Sequence, residues 1–275
     1  MKLSERLQKI ADEIGKGEAM ADIGTDHGFL PIYLFQEGIS PRVVLTDVSP
    51  GSLAKAREDL DRFGPGCREG ISLRLGSGLS VLEPGEVETV VMAGMGGMLM
   101  TRLLGEDLAK TRTYRKFILQ PRRHLGRLRC WLWDQGFTIE REQLARESHF
   151  IWPILTVLPE AEPGGGRTWE AGEAGEEDAS SQSSAGILPP PCTCPEYEED
   201  PVKRALADYP DALLSYGDPL LAAYLAREER IQTWILEKLP AGPGRDRDRT
   251  EARLRQLASL TAGLSADMFG KEEPC

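Results

Sequence analysis

The segment Ala21-Asp22-Ile23-Gly24-Thr25-Asp26-His27-Gly28 holds the densest chemistry in the chain. It closes an apolar run, Met20–Ile23, and turns through glycines toward a helical stretch. Such a turn lets backbone approach a ligand closely. A dinucleotide site would need a second glycine where Asp26 stands, in the spacing G-x-G-x-x-G. A carboxylate there repels a pyrophosphate, so NAD and FAD are disfavoured. It suits a cationic group instead, and the methionyl ammonium of S-adenosylmethionine is one. Asp22, Gly24, Asp26 and Gly28 are therefore candidate cofactor residues. The plainer alternative is a turn with Asp26 as a helix cap. His27 is a candidate base, or a partner for a target nucleotide.

Three further turns repeat the theme. Asp47 follows the run Val43–Thr46, 25 residues after Asp22. In nucleotide-binding Rossmann-like folds an acid at that strand end accepts ribose hydroxyls. Gly76-Ser77-Gly78-Leu79 follows Ile71–Leu75. Its glycines permit closure over an adenine ring, and Ser77 could bond the amino group. A simple loop explains that segment equally well. Gly94-Met95-Gly96-Gly97 follows Thr89–Ala93. Bare backbone there leaves room for a flat acceptor ring, with Met95 and Met98 packed on it. Asp26, His27, Gly94 and Met95 are the catalytic candidates, and Gly94 also counts as a cofactor residue.

Between Lys110 and Arg129 lie eight Lys or Arg residues and no acid, with His124 among them. They bracket the fifth strand, Phe117–Leu119, whose carboxyl end borders the same turns. A basic cluster beside a cleft is what a phosphate backbone needs. Arg112, Arg115, Lys116, Arg122, Arg123 and Arg127 are the candidate RNA-binding residues. The plain alternative is a solvated face.

These turns need a scaffold, and the pattern supplies one. Strand signals at Met20–Ile23, Val43–Thr46, Ile71–Leu75, Thr89–Ala93, Phe117–Leu119, Phe137–Leu144 and Phe150–Leu158 alternate with helical patterns between the first six. Strands separated by helices pair in parallel with right-handed crossovers. About five residues separate the last two, too few for a crossover, so they form an antiparallel hairpin. His149 reads as a strand residue there. The expectation is an α/β fold: a Rossmann-like, seven-stranded methyltransferase sheet over residues 1–158. Residues 159–200 carry 11 acids against one base, with Gly, Ser and Pro runs, and read as a loose linker. Residues 201–275 read as a smaller helical hairpin, coiled-coil-like, with Leu220, Leu221, Tyr224, Leu225, Ile231, Trp234, Ile235 and Leu239 forming apolar faces before the breaker Pro240–Gly244.

The net charge of −11 thus belongs almost wholly to the linker, because residues 1–158 balance 21 bases against 21 acids. A local basic patch survives that accounting. No run approaches 18 apolar residues, and the charged amphipathic start lacks a signal h-region, so the expected address is the cytoplasm, without membrane partners. Five cysteines without paired CxxC steps point away from a structural metal. A monomer or weak dimer is expected.

Taken together, Leu3-Ser4-Glu5-Arg6-Leu7, Ala21 to Gly28 with Leu30-Pro31, Arg74 to Leu79, Ala93-Gly94-Met95-Gly96-Gly97, Leu119-Gln120-Pro121 and the Leu128-Arg129 to Trp131-Leu132 stretch resemble the bacterial tRNA (adenine-22-N1)-methyltransferases of the TrmK type. The resemblance implies methyl transfer from S-adenosylmethionine to N1 of an adenine in the D-arm region of tRNA, with the C-terminal hairpin helping to hold the tRNA. Alkylation at N1 leaves the base cationic, a charge that a nearby carboxylate could stabilise, and Asp26 is the best candidate for it. The chain departs from the family pattern at Ser77, where an acid or Asn is common, and at Arg122, where Asn follows Gln-Pro. Two other readings stay open: a non-catalytic RNA-binding relative, and a methyltransferase acting on a small molecule or protein.

Overall fold

The computed structural model describes residues 1–63, 69–159, 199–210, 212–215 and 217–269. The acidic linker, apart from its ends, and all the cysteines but Cys130 lie outside these residues.

In chain order come α1 (Glu5–Asp12), β1 (Met20–Ile23), α2 (Phe29–Gln36), β2 (Val43–Asp47), α3 (Pro50–Phe63), β3 (Ile71–Leu75), β4 (Thr89–Ala93), α4 (Gly97–Gly105), α5 (Leu108–Thr111), β5 (Lys116–Gln120), α6 (Leu125–Asp134), β6 (Phe137–Glu147) and β7 (Phe150–Pro159). Four helices follow: α7 (Pro201–Asp208), α8 (Ala212–Ser215), α9 (Leu221–Lys238) and α10 (Arg245–Phe269).

One seven-stranded sheet runs β3-β2-β1-β4-β5-β7-β6. The first five strands are parallel, and β7 is antiparallel to both its neighbours. Alternation along each strand builds two cores. Ala21, Ile23, Val90, Met92, Phe117 and Leu119 face α4 and α6, meeting Met100, Leu104, Leu128 and Leu132. Met20, Val91 and Ile118 face the other way, onto α1, α2 and α3 through Ile10, Leu30, Ile32, Ala56 and Leu60. Helix α3 starts as its sequence predicts, with the Ser49 hydroxyl accepting from the Ser52 amide at 3.3 Å.

Two expectations need correction. The β3–β4 crossover holds only a 3-10 turn, Gly78–Val81, rather than an α-helix. Gly76, Gly78, Pro84 and Gly85 crowd that segment and prevent a longer one. On α9, Trp234 is exposed, so the apolar face read from the sequence is buried only at Leu221, Tyr224 and Leu225.

Strands β6 and β7 span 11 and 10 residues against four or five in the parallel strands. Their turn has only two residues, Ser148 and His149, with Ser148 left-handed at φ 55°. Leu119 pairs with Leu155, so residues 150–153 stand beyond the carboxyl end of β5. This projecting end carries the C-terminal helices. Leu144 and Ile151 share a core with Tyr209, Leu213, Leu221, Tyr224, Leu225, Leu257 and Leu260. The fully buried Arg129 of α6 ties the two parts further, donating to Glu142 of β6 and to the carbonyls of Ala207 and Asp208, at 2.9 and 2.7 Å.

Candidate active site

Parallel strands bring their carboxyl ends to one edge, and the sequence-predicted turns gather there. Gly24 and Thr25 donate to the Thr46 carbonyl at 2.8 and 2.9 Å, joining the ends of β1 and β2. Gly76 donates to the Asp47 carbonyl at 3.0 Å, adding the end of β3. Asp47 turns its carboxylate toward the loop, accepting from the Ser49 amide at 2.8 Å and the Asp26 amide at 3.4 Å. Ser77 is exposed beside it. Gly78, left-handed at φ 53°, packs against Leu103 of α4.

Gly24 and Gly94 end the adjacent strands β1 and β4, both left-handed, at φ 78° and 81°. A side chain at either position would be strained. Met95 lies across the first of them, with Cε 3.3 Å from where a Gly24 Cβ would stand. Gln120 holds Gly94 in place: its carbonyl and its Oε1 accept from the Gly94 amide at 3.0 and 3.1 Å. Arg6 of α1 donates to the same Oε1 at 3.2 Å and to Glu147 at 3.0 Å. Sequence reasoning missed Arg6 and Gln120, because their role rests on contacts 114 and 26 residues apart. It also missed Val48 and Leu75, which stand 68% and 56% exposed, one just past β2 and the other at the last residue of β3. Apolar side chains exposed at strand ends were the readable signal.

Asp22 is buried beneath the loop and accepts from the Thr25 hydroxyl at 2.8 Å. Burial pushes its pKa up to about 6, with Asp47 adding to the rise and Thr25 and Arg6 opposing it. Perturbed acids at a strand-end cleft mark functional sites. The raised pKa has a stability consequence. Folding favours the protonated form, so stability from this group is present below its unfolded pKa near 3.8 and is lost as pH rises through about 6. The rise from 3.8 to about 6 corresponds to about 3 kcal/mol. Asp22→Asn is therefore expected to raise the melting temperature at pH 7.5 and to lose that advantage toward pH 4. A gain that stayed constant with pH in paired thermal melts would show that charge is not its cause.

Asp26 and His27 point elsewhere than expected. Asp26 adopts φ 45°, filling the position of the missing glycine, and its carboxylate lies 3.4 Å from Lys55 of α3. His27 places Nδ1 2.7 Å from Asp59, also on α3, and stacks on Phe29 at 5.1 Å. Both sit on the β2 side of the loop, while Gly94 ends β4 on the other. His27 thus ties the loop to α3.

The basic run divides in three. Arg112 and Lys116 precede β5 and lie at the amino edge of the sheet, about 13 Å from the carboxyl edge at strand rise. Arg112 bonds the Gln135 carbonyl at 2.6 Å, and Lys116 bonds Glu18 at 3.0 Å, while Arg115 is exposed near them. These three are therefore not part of a patch at the strand ends. Arg122, Arg123 and Arg127 do lie there, with His124. Burial and the nearby Arg127, Arg123 and Arg204 lower the His124 pKa, which favours its neutral form. Arg129 belongs to the buried bridge.

Beside the glycine turns opens a cleft of about 660 Å³ between the β5–α6 turn, the projecting hairpin and the C-terminal helices. Arg122, Arg123, Arg204, Arg227 and Arg253 line it, with Phe150, Trp152, Tyr209 and Tyr224, against the acids Asp208 and Glu228. It does not contain the glycine loop itself. Arg122 connects the two: its guanidinium comes within 3.7 Å of where a Gly94 Cβ would stand. Among the described residues no His, Cys, Asp and Glu group is arranged to hold a metal, and no helix is long and apolar enough to cross a membrane.

A model of the methyltransferase-domain family matches residues 3–155. The tRNA (adenine(22)-N(1))-methyltransferase of Bacillus subtilis is 31% identical over 191 residues, covering 68% of this chain and 73% of that protein. The solved B. subtilis M1A22 tRNA methyltransferase TrmK has a TM-score of 0.69 at 23% identity, over 94% of this chain and 99% of that one. M. capricolum TrmK, solved with S-adenosyl-homocysteine, has a TM-score of 0.66 at 19% identity, over 96% of this chain and all of that one. At these identities the two structures show a common fold.

Proposed function

Because the chain belongs to the methyltransferase-domain family, and within it to the tRNA (adenine(22)-N(1))-methyltransferases, we propose that it transfers the methyl group of S-adenosylmethionine to N1 of an adenine in tRNA. One observation carries the reading: Gly24 and Gly94, both left-handed, end adjacent strands with Met95 lying between them, and Asp47 ends the next strand over. The residues fit the cofactor. Asp47 would hold the ribose hydroxyls, Val48 and Leu75 would cover the adenine ring, and the backbone of the Gly24–Gly28 turn would take the methionyl end. Bound there, S-adenosylmethionine supplies an electrophilic methyl group.

The chain's own contribution is positioning. Gly94, fixed by Gln120 and Arg6, leaves the gap in which the acceptor ring lies against the cofactor site. N1 of neutral adenine attacks with its own lone pair and carries no proton, so no general base is needed. A catalytic base contributes about 10²- to 10⁴-fold, so His27→Gln is expected to hold kcat within about threefold. A hundredfold fall at saturating substrates would return His27 to the chemistry.

The cleft supports tRNA as the acceptor. Five arginines and the rings of Phe150 and Trp152 offer phosphate pairing and base stacking together, and the target base must leave its stack to reach Gly94. Residues 1–159 supply the catalytic part and the helices from Pro201 onward the second wall. The deciding experiment follows labelled methyl from S-adenosylmethionine into unmodified bacterial tRNA and maps the product. Label in 1-methyladenosine, abolished when adenine 22 is replaced by guanine, is the expected result. Cofactor binding without transfer would favour a non-catalytic RNA-binding relative, the reading that Ser77 and the intruding Arg122 motivate. Transfer to a protein or small molecule would overturn the RNA assignment.

A further inference from the structure

The projecting end of β7 carries two aromatic side chains that the fold does not need. Along residues 150–153 the side chains alternate between faces. Ile151 turns into the core shared with the C-terminal helices. Phe150 and Trp152 turn the other way and stack on each other, centroids 5.3 Å apart and planes 23° from parallel. Phe150 remains 47% exposed. A cation lies over each outer side: Arg122 is 5.9 Å from the Trp152 ring, and Arg227 of α9 is 5.6 Å from the Phe150 ring. Arg227 is held by Glu228 at 2.5 Å, and Glu228 accepts from Tyr209 at 2.9 Å. The result is a ladder of cation, ring, ring and cation along one wall of the cleft.

We propose that Trp152 and Phe150 form a stacking subsite for an unpaired RNA base adjoining the methyl-accepting adenine. The proposal rests on the tRNA reading above. Every nucleobase offers a π face, and guanidinium groups that cover a ring can instead pair with phosphate. A base entering the ladder displaces a cation from the ring, and the displaced cation meets that nucleotide's phosphate. Arg122 sets the register, because the same guanidinium lies beside both Trp152 and the Gly94 turn. The ladder is therefore one step from the acceptor position. Arg123, Arg204 and Arg253 on the other walls give the cleft the charge a polyanion requires.

The test compares full-length wild type with Trp152→Ala, Trp152→Tyr and Phe150→Ala, measuring tRNA affinity by filter binding and methyl transfer against tRNA concentration. Loss of one stacked base weakens binding roughly tenfold or more. Trp152→Ala is expected to raise both Kd and KM for tRNA by that factor, with kcat and S-adenosylmethionine affinity nearly unchanged. Trp152→Tyr should recover most of the loss. Unchanged tRNA affinity in Trp152→Ala overturns the subsite, as does a Tyr variant no better than Ala. If Trp152→Ala does not fold, the exposed Phe150→Ala decides in the same way. Wild type that binds tRNA but methylates none of it would defeat the function reading alone, since the affinity comparison still judges the subsite.

Discussion

Gly94→Val is expected to fold and bind S-adenosylmethionine, yet to lose methyl transfer by at least about a hundredfold, because displacement of about 1 Å at a reacting centre already costs that much. Two effects combine at this position. The backbone sits at φ 81°, where a β-branched residue is a genuine outlier. The new side chain would also fill the gap between the cofactor loop and Arg122, whose guanidinium stands only 3.7 Å from the Cβ position. Strain alone costs about 1–3 kcal/mol of stability. Gly136→Val separates the effects: it carries the same left-handed penalty, at φ 71°, with nothing within 4 Å of the added Cβ and no part in the site. Single-turnover transfer at saturating tRNA and cofactor should be near normal for Gly136→Val and nearly absent for Gly94→Val. Equal losses in the two variants would place the defect in folding and remove Gly94 from the transfer site.

Arg129→Ala should be the most damaging single change to stability. Burial by itself would lower the pKa of this guanidinium, but Glu142 outweighs that and raises it, so the cation persists inside the protein. Truncation leaves Glu142 buried without its partner and strips a donor from two carbonyls at the end of α7. Breaking a buried pair from one side costs about 3–5 kcal/mol. For a chain of this size that lowers the melting temperature by roughly 10 °C. The double variant Arg129→Met/Glu142→Leu should recover much of the loss, because replacing both charges removes the desolvation penalty as well. Urea unfolding of the three proteins measures this, and a loss below about 1 kcal/mol in Arg129→Ala would contradict the reading of Arg129 as a structural bridge.

These predictions also mark what the sequence could disclose. Strand ends were legible because apolar runs stop where glycines and acids begin, and the parallel topology then forces Asp22, Asp47, Ser77 and Gly94 to a common edge. The hairpin was legible from the short gap before Phe150. The basic run was not. Eight cations between residues 110 and 129 look continuous in sequence, but β5 threads through them and carries Arg112 and Lys116 to the opposite edge. Arg129 was hidden for another reason: its partner Glu142 lies on the following strand, its other partners stand 78 and 79 residues away, and a buried arginine has no distinctive sequence mark. The tie from His27 to Asp59 was hidden likewise, since the two stand 32 residues apart. Trp152 read as an ordinary strand residue because its place at the cleft follows from the relative lengths of two strands, which become visible only in register.

The bridge at Arg129 has a kinetic meaning as well. It clamps α6 to the end of α7, and the core around Leu144 and Ile151 fastens the remaining helices to the hairpin. The jaws on either side of the arginine-lined cleft are thus riveted together rather than hinged. A receptor fastened in this way needs no closing step to form its cleft. The burden of adjustment shifts to the RNA, which must unpair and splay locally to enter. Among otherwise equal tRNAs, those whose helices come apart most cheaply around the target should be modified fastest.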